Sequence, residues 1–286
     1  MRGPARLVFG TLDLADSALA PRLLDRFRAG DGRALDVANV YRDGESARAV
    51  GRWLRERPAA NDMVVYAKGC HPPYCSPSLV EAEVDKAARL LGLEKIDVFI
   101  LHRDDPGLPV ADFADALLEQ VAAGRIGGFG VSNWTLERTR ELHAHLDRLG
   151  AAGLVAFSNH FSLAEMVTAP WDGCLASSKA ELSALADLDL KMLAWSSLAT
   201  GFFAGRDTPH WDSPGNRARR EYAADLAGRL GASTSAVALA YVLHQPGHVL
   251  AVVGTNSEDH LDEALTAGEL ELSREELEWL ENGPED

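Results

Sequence analysis

The chain has 286 residues, a formal net charge of −15 and three cysteines. That length holds one large core, slightly above a typical (β/α)8 domain. The acidic balance speaks against nucleic acid and anionic membranes, no apolar run approaches the ~18 residues of a membrane span, and the few cysteines suit a reducing cytoplasm better than a disulfide framework.

Short β-type runs alternate with amphipathic windows along the chain. Strands are predicted near 6–9, 33–36, 62–67, 96–101, 126–131, 153–157, 190–195 and 248–253. The stretch from Met1 to Arg6 runs directly into the first of these, so neither a leader segment nor an N-terminal hairpin is expected. Between strands, the window 45–57 puts Ala47, Val50 and Leu54 on one face. The window 79–91 does the same with Val80, Val84, Ala87 and Leu91, and 111–123 with Phe113, Leu117 and Val121. Ser76-Pro77 reads as N-cap and first turn of the second window. Residues 202–247 hold more than one helix-length window, so an extra helix precedes the last strand. Ser273 with Glu276 reads as a capping box for a closing helix.

Eight strands with crossover helices predict a (β/α)8 barrel, one domain over 1–286; counting alone also allows an open doubly wound sheet. Four polar residues stand at or just past the C-terminal ends of three successive early strands: Asp36 and Tyr41 in Asp36-Val37-Ala38-Asn39-Val40-Tyr41, Lys68 after Met63-Val64-Val65-Tyr66-Ala67, and His102 after Ile96-Asp97-Val98-Phe99-Ile100-Leu101. In a parallel barrel that edge is where reacting groups collect.

An acid, a phenol, an amine and an imidazole together make a proton-delivering site. A free phenol ionises near pH ~10, too high for easy donation. One ammonium at ~4 Å, at an effective dielectric of ~20, favours the phenolate by roughly 4 kcal/mol. Lys68 suits that part for Tyr41, and Asp36 supplies the anion that keeps a buried lysine charged. His102 would hold and orient a substrate oxygen. Each residue has a plainer reading: a helix cap, a core tyrosine, a solvated lysine, a structural histidine. Their joint occurrence favours the site. Cys70 reads as a small buried thiol behind Lys68; Cys70, His71 and Cys75 lack a fourth partner at zinc-finger spacing, so no metal is expected.

The arrangement resembles the Asp–Tyr–Lys–His tetrad of the aldo-keto reductases, and the likeness extends over nearly the whole chain. Phe9-Gly10-Thr11 is similar to that family's first strand end, against the cofactor. Asp36-x-Ala38-x-x-Tyr41 followed by Gly44-Glu45 resembles its most recognisable motif, and Leu101-His102-Arg103-Asp104-Asp105-Pro106 its histidine strand. Gly124-Arg125-Ile126-Gly127-Gly128-Phe129-Gly130-Val131-Ser132-Asn133-Trp134 resembles the carboxamide-binding strand, which implies that Ser132 and Asn133 bond the nicotinamide amide. The plainer reading is a polar turn capping the next helix from about Thr135. Gly128-x-Gly130 is not a dinucleotide fingerprint, since no third glycine follows.

Leu193-Ala194-Trp195-Ser196-Ser197-Leu198 resembles the seventh strand, which implies that Trp195 stacks on the nicotinamide and that Ser196 and Leu198 line the cofactor. Gly254-Thr255-Asn256-Ser257-Glu258-Asp259-His260 resembles the eighth strand end and the helix N-terminus that takes the anionic part. The chain departs from the family at three places. Ser158 stands where most members have glutamine, and Ala264 where many have asparagine. Gly254, Asn256 and His260 stand where lysine or arginine meets the 2′-phosphate of NADP. Arg217, Arg219 and Arg220 are candidates to compensate.

The resemblance implies a cytoplasmic enzyme, a monomer or small homo-oligomer, that reduces an aldehyde or ketone with NADPH, NADH remaining possible. Arg103, Trp134 and Tyr74, with the 203–215 loop, are placed at the substrate rim. Two other readings stay open at this point: a non-catalytic barrel that binds nicotinamide nucleotide as a sensor or regulatory subunit, and a metal-dependent hydrolase using His71, His102 or Asp104.

Overall fold

The computed structural model describes residues 6–15 and 18–284. Eight parallel strands close into a barrel in sequence order: β1 (Leu7–Gly10), β2 (Ala34–Ala38), β3 (Val64–Gly69), β4 (Ile96–Leu101), β5 (Ile126–Ser132), β6 (Leu154–Ser158), β7 (Lys191–Ala194) and β8 (His248–Val253). β8 pairs back onto β1 through Leu7 and Ala251. Closure removes the open-sheet alternative. The residues before Arg6, and with them the expectation that neither leader nor hairpin precedes β1, lie outside the described residues.

Helices α1 (Leu19–Ala29), α2 (Glu45–Glu56), α3 (Val80–Leu91), α4 (Val110–Ala122), α5 (Leu136–Leu149) and α6 (Lys179–Asp187) follow β1 to β6 in turn. Two helices, α7 (Pro214–Leu230) and α8 (Thr234–Leu243), lie between β7 and β8. The chain continues with α9 (Glu258–Ala267) and α10 (Arg274–Asn282). The predicted capping box is made: Ser273 Oγ accepts from the Glu276 backbone N–H, and the Glu276 carboxylate accepts from that of Ser273. Ser76 and Pro77 do stand at an N-cap and first position, but of a short turn before α3 and without a side-chain cap bond. Pro77–Leu79 forms a separate 3-10 turn, α3 begins at Val80, and Ser76 Oγ pairs with Ser78 Oγ. Among the described residues no single helix is long and apolar enough to cross a membrane.

The strand period of two divides the core. Odd positions such as Leu7, Phe9, Leu35, Val37, Val65, Phe99 and Val131 pack outward under the helices. Even positions turn inward in every strand but β7, where Leu193 does: Val8, Ala34, Tyr66, Val98, Ile100, Ala156, Leu193, Leu250 and Val252 fill the barrel. The next even positions toward the C-terminal ends are Gly10, Asp36, Lys68, His102, Ser132, Ser158 and Gly254. The apolar filling stops there and the polar groups begin, one pleat higher, at a common level.

Gly130 has a packing reason. A Cβ there would stand 2.6 Å from the Ala156 carbonyl oxygen, closer than any real side chain, so only glycine lets β5 approach β6 at this point.

Candidate active site

Asp36 and Lys68 are both buried inside the barrel, and Lys68 Nζ lies 2.8 Å from Asp36 Oδ1 and 2.9 Å from Oδ2. Parallel pairing sets Ala38 beside Lys68, so the two side chains start one pleat apart and meet in the interior. Tyr41 follows β2 on a turn in which Arg42, Asp43 and Gly44 all have positive φ; Gly44, at +85°, is the residue that tolerates it and opens α2. This turn brings the half-buried Tyr41 back over its own strand, and its hydroxyl donates to Asp36 Oδ2 at 3.2 Å. The Lys68 ammonium lies 5.2 Å from the centre of the Tyr41 ring. His102 meets that ring edge-on, with centroids 5.8 Å apart.

Burial alone pulls the Lys68 pKa down. The Asp36 carboxylate, with Tyr41, more than offsets this and holds Lys68 above the ordinary lysine value. Tyr41 departs from the expectation of a lowered pKa. Burial and the adjacent Asp36 outweigh Lys68 and push the phenol up to about 12. The physical reason is that the lysine charge is already spent on Asp36, to which the phenol also donates. His102 is driven well below its usual value, first by burial and then by Lys68, Arg103 and His71, so its imidazole is neutral. Its Nδ1 is buried without a partner.

These residues open onto a cavity of about 550 Å³ at the C-terminal end of the barrel. Asp36, Tyr41, Lys68 and His102 line it. So do Gly10, Ser132, Asn133, Trp195, Ser196, Leu198, Gly254, Thr255, Asn256 and His260, and of the substrate candidates Arg103. Thr11 and Ser158 do not. Thr11 is buried and its hydroxyl donates to the Asp36 carbonyl at 2.8 Å, bracing β2 from behind. Ser158 is fully buried with its Oγ unpartnered.

Two substrate candidates also fall away. Trp134 is completely buried: its Nε1 donates to the Arg103 carbonyl at 3.3 Å and its ring packs on Phe113 and under Arg138. Tyr74 is half exposed beside Lys86, outside the cavity. The proposed compensating arginines are engaged elsewhere. Arg217 pairs with Asp212, Arg219 with Glu165, and Arg220 lies over Phe202. Arg206, from the turn after β7, lines the cavity instead.

Sequence reasoning missed the apolar rim. Leu12, Val40 and Trp171 are the exposed large hydrophobics among the cavity's lining residues, and Trp171 comes from the long segment between β6 and α6. An aromatic in a polar, aperiodic stretch was the available signal. His160 was also passed over. Buried behind Trp195, its Nδ1 donates to the Trp195 carbonyl and its Nε2 accepts from Trp211 Nε1.

A nicotinamide group fits the donor set on one face. Ser132 Oγ accepts from Asn133 Nδ2 at 3.0 Å and keeps its own proton to donate, and the Trp195 ring offers a flat wall. Asn133 fits less freely: its Nδ2 is bonded to the His102 carbonyl and Ser132, and its Oδ1 to the Leu175 backbone N–H. Among the described residues no group of three metal-ligating side chains is assembled.

The chain is similar to known proteins over nearly its whole length. An oxidoreductase of Bacillus subtilis, YrpG, is 24% identical over 307 residues, spanning 96% of this chain and 91% of its own. The norsolorinic acid reductase of Aspergillus flavus is 25% identical over 295 residues, spanning 96% and 73% respectively. The crystal structure of a thermostable aldo-keto reductase bound to the inhibitor epalrestat shares the fold, with a TM-score of 0.78 at 17% identity over 98% of this chain and 95% of that one. The sequence model of the Aldo/keto reductase family matches residues 6–282, and the chain belongs to that family.

Proposed function

We propose that the protein reduces an aldehyde or ketone to the alcohol with a nicotinamide cofactor, NADPH with NADH as the alternative, and that Tyr41 delivers the proton. The observation that carries this reading is the chain of contacts Tyr41–Asp36–Lys68 with His102 at its edge, all opening onto one cavity. Bound along Ser132, Trp195 and Gly254–Asn256, the reduced cofactor would supply the hydride.

The residues of the chain divide the remaining work. The ring proton of His102 costs least on Nε2, because a buried N–H without an acceptor at Nδ1 is worse than a bare lone pair there. Nε2–H is then the group that holds the carbonyl oxygen and turns it toward Tyr41. As negative charge grows on that oxygen, the Tyr41 hydroxyl would turn from Asp36 to it, the phenol O–H bond breaking as the new O–H bond forms. The Lys68 ammonium, fixed by Asp36, stabilises the phenolate left behind. The reading places the enzyme in a reducing cytoplasm, which its three unpaired thiols suit.

The test is a titration of tryptophan fluorescence with NADPH and NADH, followed by a carbonyl substrate screen. We expect tight binding of at least one cofactor, and Tyr41→Phe to lower kcat/KM by about 10²–10⁴-fold with cofactor affinity nearly unchanged. Full activity in Tyr41→Phe would remove the proton-donor role, and binding of neither cofactor would remove the reductase reading.

A further inference from the structure

Arg103 is buried to 7% exposure, lines the cavity, and directly follows His102 in the chain. Among the described residues its guanidinium makes three hydrogen bonds, all to uncharged groups. Nη1 donates to the His102 carbonyl at 2.9 Å, Nε to the Asp172 carbonyl at 3.4 Å, and Nη2 to Cys174 Sγ at 3.4 Å. Only the first is short. Five N–H groups are available, so two remain unassigned.

The surrounding acids do not neutralise it. Asp104, the next residue, is held by Arg138 at 2.7 and 3.1 Å. Asp36 is bound to Lys68, Asp105 Oδ1 accepts from the Gly107 backbone, and Asp172 offers its carbonyl. Among the described residues no carboxylate lies within ion-pair distance of Arg103. A buried charge without a counter-charge is expensive to maintain. Lys68, the other deeply buried cation lining the cavity, has its anion in Asp36. Arg103 does not, and it stands where a substrate would lie beside His102.

We propose that Arg103 is an anion-binding residue of the substrate cavity, and that the carbonyl compounds reduced here carry a carboxylate. One guanidinium matches one negative charge, and two free N–H groups suit the paired oxygens of a carboxylate. A phosphate dianion would leave a charge unmatched in the same pocket. The exposed apolar rim of Leu12, Val40 and Trp171 would cover the carbon chain between the two ends. This inference rests on the reductase reading. The reaction is unchanged: hydride from the reduced nicotinamide to the carbonyl carbon, proton from Tyr41 to its oxygen, and the carboxylate untouched.

The experiment compares linear oxo-acids with a terminal aldehyde, from glyoxylate to 5-oxopentanoate, against their methyl esters, using the cofactor that binds. For at least one chain length the acid should exceed its ester by about tenfold or more in kcat/KM, chiefly through KM, as expected for a charge-assisted bond. Arg103→Met should remove that advantage, the acid's kcat/KM falling about tenfold further than its ester's, and Arg103→Lys should restore part of it. Wild-type esters turned over as well as acids at every length would overturn the proposal. So would an Arg103→Met enzyme that loses acid and ester activity in equal measure, which is the behaviour of a strut under the 171–174 loop. The wild-type comparison decides even where the variant does not fold. Esters reduced without any preference for acids refute the anion site alone. Neither class reduced with either cofactor refutes the reductase reading itself.

Discussion

The Tyr41 hydroxyl donates to the same Asp36 oxygen that Lys68 holds, at 3.2 Å and 2.9 Å respectively. Asp36 therefore does two things at once. It keeps the buried lysine charged, and it keeps the phenol protonated.

That double contact sets the alkaline behaviour. With Tyr41 pushed up to about 12 by burial and by Asp36, the proton donor stays loaded far above the pH of a free tyrosine. The alkaline limb of kcat/KM should be flat to beyond pH ~10, where an exposed phenol would already be half ionised. A break near pH ~10 in the free-enzyme profile would mean that the Tyr41–Asp36 bond is not made in solution.

The Asp36–Lys68 pair also bears on stability. Removing one partner leaves a buried charge without its counterpart, which costs about 3–5 kcal/mol. Lys68→Met should lower the urea unfolding free energy by that order, and Asp36→Leu added to it should recover a substantial part. A double variant no better than the single one would show that the pair matters through packing rather than charge.

His102 and His160 are both held neutral, His102 well below its ordinary value and His160 down to about 4, in each case mainly by burial. An unfolded histidine takes up its proton near pH ~6.5. Between about pH 6.5 and 4 the unfolded chain therefore binds more protons than the folded one. Stability should fall as pH drops through that window, by up to about 1.4 kcal/mol per pH unit for each histidine. Denaturant unfolding at about pH 5 and pH 7.5 measures this. His160→Gln should flatten the slope, and equal stability of the wild type at both values would contradict the buried, neutral assignment.

Arg206 is the one lysine or arginine that lines the cavity from the 199–267 stretch. If NADPH is the cofactor, its extra phosphate has this guanidinium in place of the family's cations near the eighth strand. Arg206→Ala should weaken NADPH binding about tenfold, the scale of one charge-assisted bond, and leave NADH nearly unaffected. Equal loss for both would assign Arg206 to a part the two cofactors share.

Much of the molecule was legible before folding. The end of each predicted strand marked the level at which Asp36, Lys68 and His102 collect, and the family resemblance added Ser132 and Gly254 to it. The windows around Val50, Val84 and Leu117 became α2, α3 and α4. The misplaced residues share one property: their sequence signal is the same whichever way they point. A tryptophan just past a strand end suits a cavity rim or the layer beneath the helices, and Trp134 took the second because Phe113 and Arg138 enclose it there. Thr11, one residue past the inward Gly10, braces β2 from behind.

The sequence by itself determined which residues can share a face, because the strand period of two and the helix period of 3.6 are properties of the local backbone. It determined the kinds of chemistry present and the level at which they collect. Only the tertiary structure decided where charges are spent. Asp104 went to Arg138 and not to the adjacent Arg103, and Asp36 took both Lys68 and Tyr41. Arg217, Arg219 and Arg220 turned away from the cavity while Arg206 turned toward it. Pairings of this kind depend on distances of a few ångströms between segments far apart in the chain, and no local periodicity encodes them.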